Sequence, residues 1–406
     1  MKHVLYLTRN GLLEPLGRSQ VFGYLRALSR DYVITLVTFE KPEDLLDHDA
    51  VTRAWADCEA YGIRWLPRRF RSRPRLVQTV WSVVVLSWLS LREVMRGHAH
   101  VVHSRSYIPA IASWVSGTLT QTPFIFDMRA IWPDEMVTAG RLKERSFVYK
   151  VLKWLERRLL RNAASVISLT EAGMHHLLER YPEIPSEKFE VITTCVDVDR
   201  FRVPERHGFL GRLEDRHPFV VGTMGTLLSG WFYLDAFFAF FLAIKILRPD
   251  AQASIVTRDD HRDILLQAQR MGVDPEDVTL RSATPEEMPA LLASMDVGVM
   301  FYAPDVGRAP TRLGEFLAAG VPVVGNTGIG DLERLITTYE VGVVIGNLND
   351  AASLKRGARK LLDRYDTVLA SGACRHAAED YFSVEQGAAK YRKLYRLLLS
   401  KSHNST

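Results

Sequence analysis

The chain has 406 residues, 47% of them apolar and 24% charged, which marks an ordinary soluble globular protein long enough for two domain cores. Its formal net charge of +5 sits in the first half, with 28 Lys and Arg against 22 Asp and Glu through residue 200 and 24 against 25 after it. That asymmetry points to an anionic partner for the first half, a membrane surface or an acidic substrate, and the lack of any short module interleaving Arg with aromatics argues against nucleic acid.

In chain order, a first strand is predicted over 4–8, with too little apolar length for a signal peptide. The loop T-R-N-G-L-L-E-P-L-G-R-S-Q follows, and its Gly11 and Gly17 lead into a helix expected at 19–28, whose first amides and Arg18 suit a phosphate. A plain glycine loop has the same pattern. Strands are predicted at 33–38 and 63–66. The uncharged run 76–91, between Arg75 and Arg92, is too short and too rich in Ser, Thr and Gln to span a bilayer, so it reads as a buried or interfacial helix. A strand at 101–104 carries His103 and leads into Arg105; His103 is either a site residue or a satisfied structural histidine. After a strand at 124–127 comes F-D-M-R-A-I-W-P-D-E, which gathers Asp127, Arg129, Asp134 and Glu135 beside Trp132. Such charge density at a strand end suits a site, a salt-bridged loop being the alternative. A helix over 141–161 holds eight basic and two acidic residues. Its Phe147, Val148, Val151, Leu152, Leu155, Leu159 and Leu160 are expected against the sheet, leaving a basic outer face for anionic lipid or solvent. Strands at 165–169 and 189–192 complete this half.

The charged, glycine-broken segment 204–218 reads as a linker. Beyond it, strands are predicted at 219–225, 253–257, 278–281, 297–301, 321–325 and 341–345, so both halves are α/β with parallel sheets and crossover helices. Such sheets bind ligands beyond the carboxyl ends of their strands. Gly222 and Gly225 form a weak dinucleotide fingerprint. The most specific segment is P-T-R-L-G-E-F-L-A-A-G-V-P-V-V at 310–324, a helix with Pro310 at its first position, stopped by Gly320 and followed at once by a buried strand. Free amides at that helix start, with Thr311 and Arg312, suit a diphosphate, and Glu315 one turn on suits ribose hydroxyls. A solvated Arg–Glu pair has the same spacing. The last helix, 384–399, is expected to cross back to the first domain. Cys58, Cys195 and Cys374 are too scattered for a disulfide framework or a metal set, which fits a reducing, cytoplasmic compartment.

In that order, L-E-P-L-G-R-S-Q, F-D-M-R-A-I-W-P-D-E, T-C-V-D-V-D-R-F at 194–201, V-V-G-T-M-G-T-L and P-T-R-L-G-E-F-L-A-A-G-V-P-V-V-G-N-T-G-I-G-D resemble glycosyltransferase family 4 over nearly the whole chain. The resemblance implies a GT-B fold: two Rossmann-like domains facing a central cleft, residues 1–203 for the acceptor, with the helix 381–400 packing back on them, and 204–380 for the donor. It implies hexosyl transfer with retention from a nucleotide diphosphate sugar to a glycan or lipid-linked acceptor, in polysaccharide or glycoconjugate synthesis, with no cofactor and no obligatory metal. The D-x-D of Asp197 and Asp199 falls in the turn between domains and is not expected to hold one.

On this reading Asp127, Arg129 and Arg312 are the catalytic set. Gly17, Arg18, Gly225, Thr226, Ser282, Ala283, Thr284, Thr311 and Glu315 contact the donor, and His103, Arg105, Asp134 and Glu135 lie on the acceptor side. Two departures from the family pattern stand out. Gly307 occupies the position of the first of two glutamates seven residues apart, and Thr226 and Trp231 lie where an Arg and a Lys usually hold the diphosphate. Arg312, with Arg18 or Arg129, is left to neutralise it. A degenerate scaffold subunit and a sugar-nucleotide epimerase are the rival readings, and the inner membrane face is the candidate peripheral location.

Overall fold

A computed structural model describes residues 2–71, 74–201 and 217–401, so most of the expected linker 204–218 lies outside the described residues. The chain divides into two compact units, Met1–Thr193 with Val384–Thr406, and Thr194–Ser383. The turn at 194–201, expected in the first domain, therefore belongs to the second unit, and the chain returns to the first at Val384.

The first unit is a parallel sheet of seven strands: β1 (His3–Thr8), β2 (Val33–Glu40), β3 (Ile63–Arg69), β4 (Val101–Arg105), β5 (Phe124–Asp127), β6 (Ser165–Ser168) and β7 (Phe189–Val191). Their order is β3-β2-β1-β4-β5-β6-β7, which reverses between β1 and β4. The second unit has β8 (Val220–Met224), β9 (Gln252–Val256), β10 (Val278–Arg281), β11 (Val297–Met300), β12 (Val323–Asn326) and β13 (Gly342–Ile345). These run β10-β9-β8-β11-β12-β13, with the reversal between β8 and β11. Apolar runs make most of the inner strands of both sheets, because helices cover both faces there, whereas the edge strands β3 and β10 carry exposed polar positions. All thirteen predicted strands form, two of them with the expected ends and the others with ends moved by one to three residues. The strand predicted over 63–66 runs on through Pro67, which β3 tolerates as the edge strand.

Three helices depart from expectation. The first starts at Pro15, continues through a π-helical turn at Arg18–Phe22 and ends at Leu28, so Arg18 lies inside it and not at its start. The helix expected over 141–161 spans Phe147–Asn162, because the Ser146 hydroxyl caps it by accepting from the Tyr149 amide at 3.2 Å. Leu155 packs on the core and Leu159 and Leu160 are buried as expected, but the rest of the buried face differs. Tyr149, Lys153, Glu156, Leu159 and Leu160 are buried, whereas Phe147, Val148 and Val151 are exposed. In the second unit Pro310 is the N-cap and Thr311 the first residue of the helix Thr311–Ala318, which ends before a left-handed Gly320 (φ 72°) as expected. Val384–Lys401 forms the last helix and packs on the first unit.

Candidate functional site

At the reversal point of the second unit, β8 ends at Met224 and β11 at Met300, the place where open α/β sheets bind ligands. Beyond β11 the chain pairs with the loop after β8: Phe232 bridges Tyr302, and the Ala303 amide donates to the Trp231 carbonyl at 2.8 Å. Asn326 fixes Tyr302 from the other side, accepting from its amide at 2.9 Å and donating to its carbonyl at 3.0 Å. Two guanidinium groups converge on this clamped ring. Arg312 lies 5.7 Å from the Tyr302 ring centre and donates to its hydroxyl, and Arg308 lies 5.8 Å from the same centre and 4.4 Å over Trp231.

Gly225 makes room for this arrangement. At φ 96° its backbone suits glycine, and a Cβ there would overlap the Arg312 guanidinium. Arg308 forms an ion pair with Asp305 at 3.3 Å, and its Nε is buried without a hydrogen-bond partner. Two cations over one aromatic ring, balanced by a single carboxylate, repel unless an anion joins them. Glu315 is half-buried one turn on, and burial pushes its carboxyl up to about 7 against the pull of Arg312 and Arg200. Arg312 bonds Tyr302 in place of the solvated Arg312–Glu315 pair that the spacing left open as the alternative.

The first unit gathers a different cluster. Register places Arg105 beside both Thr8 of β1 and Asp127 of β5, so one row of the sheet's carboxyl edge is polar. Arg105 and Arg129 approach the Asp127 carboxylate at 3.7 and 3.6 Å, with all three side chains buried or nearly so. Burial alone would raise the Asp127 carboxyl, but Arg129, His103 and Arg105 outweigh it and hold it below its usual value. Burial lowers the His103 imidazole, so it is neutral: Nε2 donates to Asp127 at 3.4 Å and Nδ1 accepts from the Tyr395 hydroxyl at 2.6 Å. Tyr391 also donates to Asp127 at 3.4 Å.

Arg105 Nη1, Arg129 Nη1 and Asp127 Oδ1 are buried without hydrogen-bond partners. Ser106 (φ 76°) and Arg129 (φ 61°) hold strained left-handed backbone directly after β4 and β5. Unsaturated buried charge beside strained loops is what a polyhydroxyl or anionic ligand would complete.

Other expected residues are engaged elsewhere. Arg18 pairs with Asp57, and the amides of Leu12 and Leu13 donate to the buried Glu40 carboxylate at 2.8 and 3.1 Å. Gly17 is a packing residue, since a Cβ there would overlap the Gly11 carbonyl. Asp134 accepts from Tyr149 at 2.7 Å and from Lys153 at 3.0 Å, in a network that pins the helix Phe147–Asn162. Glu135 lies in the first turn of the neighbouring helix Trp132–Thr138. Ser282 donates to the Thr257 carbonyl at 2.9 Å, Thr284 is capped by Glu287, and Ala283 packs on the second core. Thr226 is exposed beside Gly225. Gly307 is buried and donates to Asp305 at 3.0 Å. Sequence reasoning missed Arg308, Tyr302, Tyr391 and Tyr395; alternation of Arg308 and Arg312 at helical spacing was the available signal for the first. Among the described residues no group of three or more His, Cys, Asp or Glu side chains is gathered for a metal ion.

Residues 20–200 match the sequence profile of Glycosyltransferase Family 4. A Bacillus subtilis (strain 168) protein, TuaH, whose name assigns it to teichuronic acid biosynthesis as a glycosyltransferase, is 24% identical over 226 residues, covering 55% of each chain. The match thus spans about half the length of that relative. The fold is shared with a glycosyltransferase from Rickettsia africae, at 15% identity, 98% coverage of both chains and a TM-score of 0.70. It is also shared with HepE from Anabaena, solved with UDP and glucose, at 16% identity, a TM-score of 0.66, and 98% and 100% coverage of the two chains. The likeness to glycosyltransferase family 4 in sequence thus covers residues 20–200, less than half of the chain, and the two Rossmann-like sheets give the whole chain a GT-B fold.

Proposed function

We propose that this protein transfers a sugar, with retention, from a nucleotide diphosphate sugar to a glycan or lipid-linked acceptor in the synthesis of a polysaccharide or glycoconjugate. The observation that carries the reading is the Arg308–Arg312 pair on Tyr302 above Gly225. Those forked donors suit the two phosphates, and they stand in for the basic pair that the family usually places after β8. Glu315 suits the ribose, and the edge at Ser282, Ala283 and Thr284 suits the base. UDP is the first nucleotide to test, because HepE was solved with it.

In the reaction the bond from the sugar C1 to the β-phosphate oxygen breaks, the acceptor oxygen bonds C1 on the same face, and its proton passes to the leaving phosphate. Arg308 and Arg312 then stabilise charge that grows on the diphosphate, which is where fixed donors act most. No step here needs a metal. Asp127, ionised and buried, with Arg105 and Arg129, would orient acceptor hydroxyls. A cytoplasmic enzyme at an anionic membrane surface is the setting this acceptor class implies.

The test is to incubate a panel of sugar nucleotides with and without a membrane fraction as acceptor source, reading nucleoside diphosphate release and sugar incorporation. Acceptor-dependent release that survives a chelator is expected; epimerised donor without release, or abolition by chelator and rescue by magnesium, would overturn it. A donor-binding subunit without turnover is the second reading, favoured by glycine at position 307. It would bind the diphosphate and release none.

A further inference from the structure

The helices Arg75–Met95, Tyr107–Thr120 and Phe147–Asn162 pack side by side on the first unit. Ser90 and Ser116 bond across the first pair at 2.8 Å, and the Tyr107 hydroxyl donates to Glu156 across the second at 2.6 Å. Their outer sides therefore form one surface. On it Val77, Val80, Trp81, Val84 and Trp88 follow one another at helical spacing along the first helix. Leu119 continues the surface on the second helix, and Phe147, Val148, Val151 and Trp154 on the third. The large aromatics are open to solvent: Trp81 is 55% exposed, Trp88 57%, Trp154 53% and Phe147 80%. A soluble surface seldom gathers so many on adjacent helices.

Charge chooses the occupant. From residue 71 to residue 126 the one carboxylate is Glu93, which is buried and paired with Arg64. Arginines frame the aromatics instead, with Arg92 at 5.4 Å over the Trp88 ring and Arg158 at 5.4 Å over Trp154. Lys150 is exposed on the same helix as Trp154. Indole with arginine at its edge suits the boundary between acyl chains and anionic headgroups, where the ring enters the apolar layer and the guanidinium stays at phosphate level. No helix among the described residues is long and apolar enough to cross a bilayer, so such a surface would lie along it.

We propose that this three-helix face docks on an anionic lipid surface by inserting Trp81, Trp88, Trp154 and Phe147, with Arg92 and Arg158 on the headgroups. This rests on the membrane setting proposed above and replaces a basic helical face with an apolar one as the contact. Lys153, which a purely basic face would have used, is buried in ion pairs with Asp134 and Glu156 and takes no part.

The test uses the full chain, without donor or acceptor, on vesicles of phosphatidylglycerol and phosphatidylcholine and on phosphatidylcholine alone. Binding should be strong on the first and weak on the second, and lipids brominated along their chains should quench tryptophan fluorescence. Replacing Trp81, Trp88 and Trp154 together by Ser should weaken binding by about tenfold or more and remove that quenching. Arg92→Gln with Arg158→Gln should weaken binding to the anionic vesicles only. An unchanged melting temperature and unchanged nucleoside diphosphate affinity in these variants would show that the fold and the donor reading stand apart from the result. Equal vesicle binding by wild type and the Trp variant would overturn the proposal. So would a stable dimer that dissociates in that variant, which would make the face a contact between copies.

Discussion

At the residue scale, function is expected to hang on Arg308 as much as on Arg312. Each can make charge-assisted bonds to a diphosphate, so Arg308→Ala should weaken nucleoside diphosphate binding by about 1.5–3 kcal/mol in titration calorimetry. Arg308→Lys should restore part of the loss, since lysine keeps the charge and loses the fork. A matching loss for the nucleoside monophosphate would place Arg308 away from the second phosphate. Glu315 gives a pH signature. Its folded pKa of about 7 is above the ordinary carboxyl value, so the unfolded chain releases its proton first as pH rises. Stability is therefore lost between about pH 4.5 and 7, by an amount on the order of 3 kcal/mol. Glu315→Gln should unfold in urea like the wild type at pH 4 and resist better at pH 8. Donor affinity should move the opposite way, rising as Glu315 ionises and accepts from ribose. Identical pH profiles for the wild type and Glu315→Gln would remove the carboxyl from both roles.

At the element scale, the helix Phe147–Asn162 shows what the sequence left open. Its apolar residues at helical spacing pointed to a stripe against the sheet; Leu159 and Leu160 keep to it, but in the first half of the helix Tyr149, Lys153 and Glu156 are buried in place of Phe147, Val148 and Val151. Periodicity ranks faces by hydrophobicity, and it does not register that Lys153 finds Asp134 and Glu156, or that Glu156 accepts from both Tyr107 and Tyr181. Lys153→Ala should accordingly lower stability by about 3–5 kcal/mol, because the fully buried Glu156 loses its cation. Lys150→Gln on the exposed side of the same helix should change it by less than about 0.5 kcal/mol. Comparable urea midpoints for the two variants would contradict this assignment of faces. The helix Thr311–Ala318 was legible for the opposite reason: proline before it and glycine after it are backbone requirements that no packing choice overrides.

At the scale of the whole molecule, the thirteen strands and the two sheets could be read because the inner parallel strands are mostly apolar. The candidate sites were read only in part. Asp127, Arg129, Arg312 and Glu315 announce themselves by charge at strand and helix ends. Tyr395 meets His103 only after the chain has built the entire second unit and returned, and Trp231 meets Arg308 only through the pairing of two loops. Such contacts leave no local pattern. The returning helix should matter for stability: Tyr395→Phe leaves His103 Nδ1 without its donor in a buried site and should cost about 1–3 kcal/mol in urea unfolding. A neutral effect would mean that the imidazole finds another donor there.

The central claim is that the second unit holds a nucleoside diphosphate on Arg308 and Arg312. Titration calorimetry of UDP, GDP and ADP and of their monophosphates, against the wild type and the Arg308→Ala, Arg312→Ala double variant, tests it directly. The expected result is that one diphosphate binds the wild type more tightly than its monophosphate, and that this preference disappears in the double variant while the melting temperature holds. An equal preference for the diphosphate in both proteins, or no diphosphate bound by the wild type, would contradict the claim.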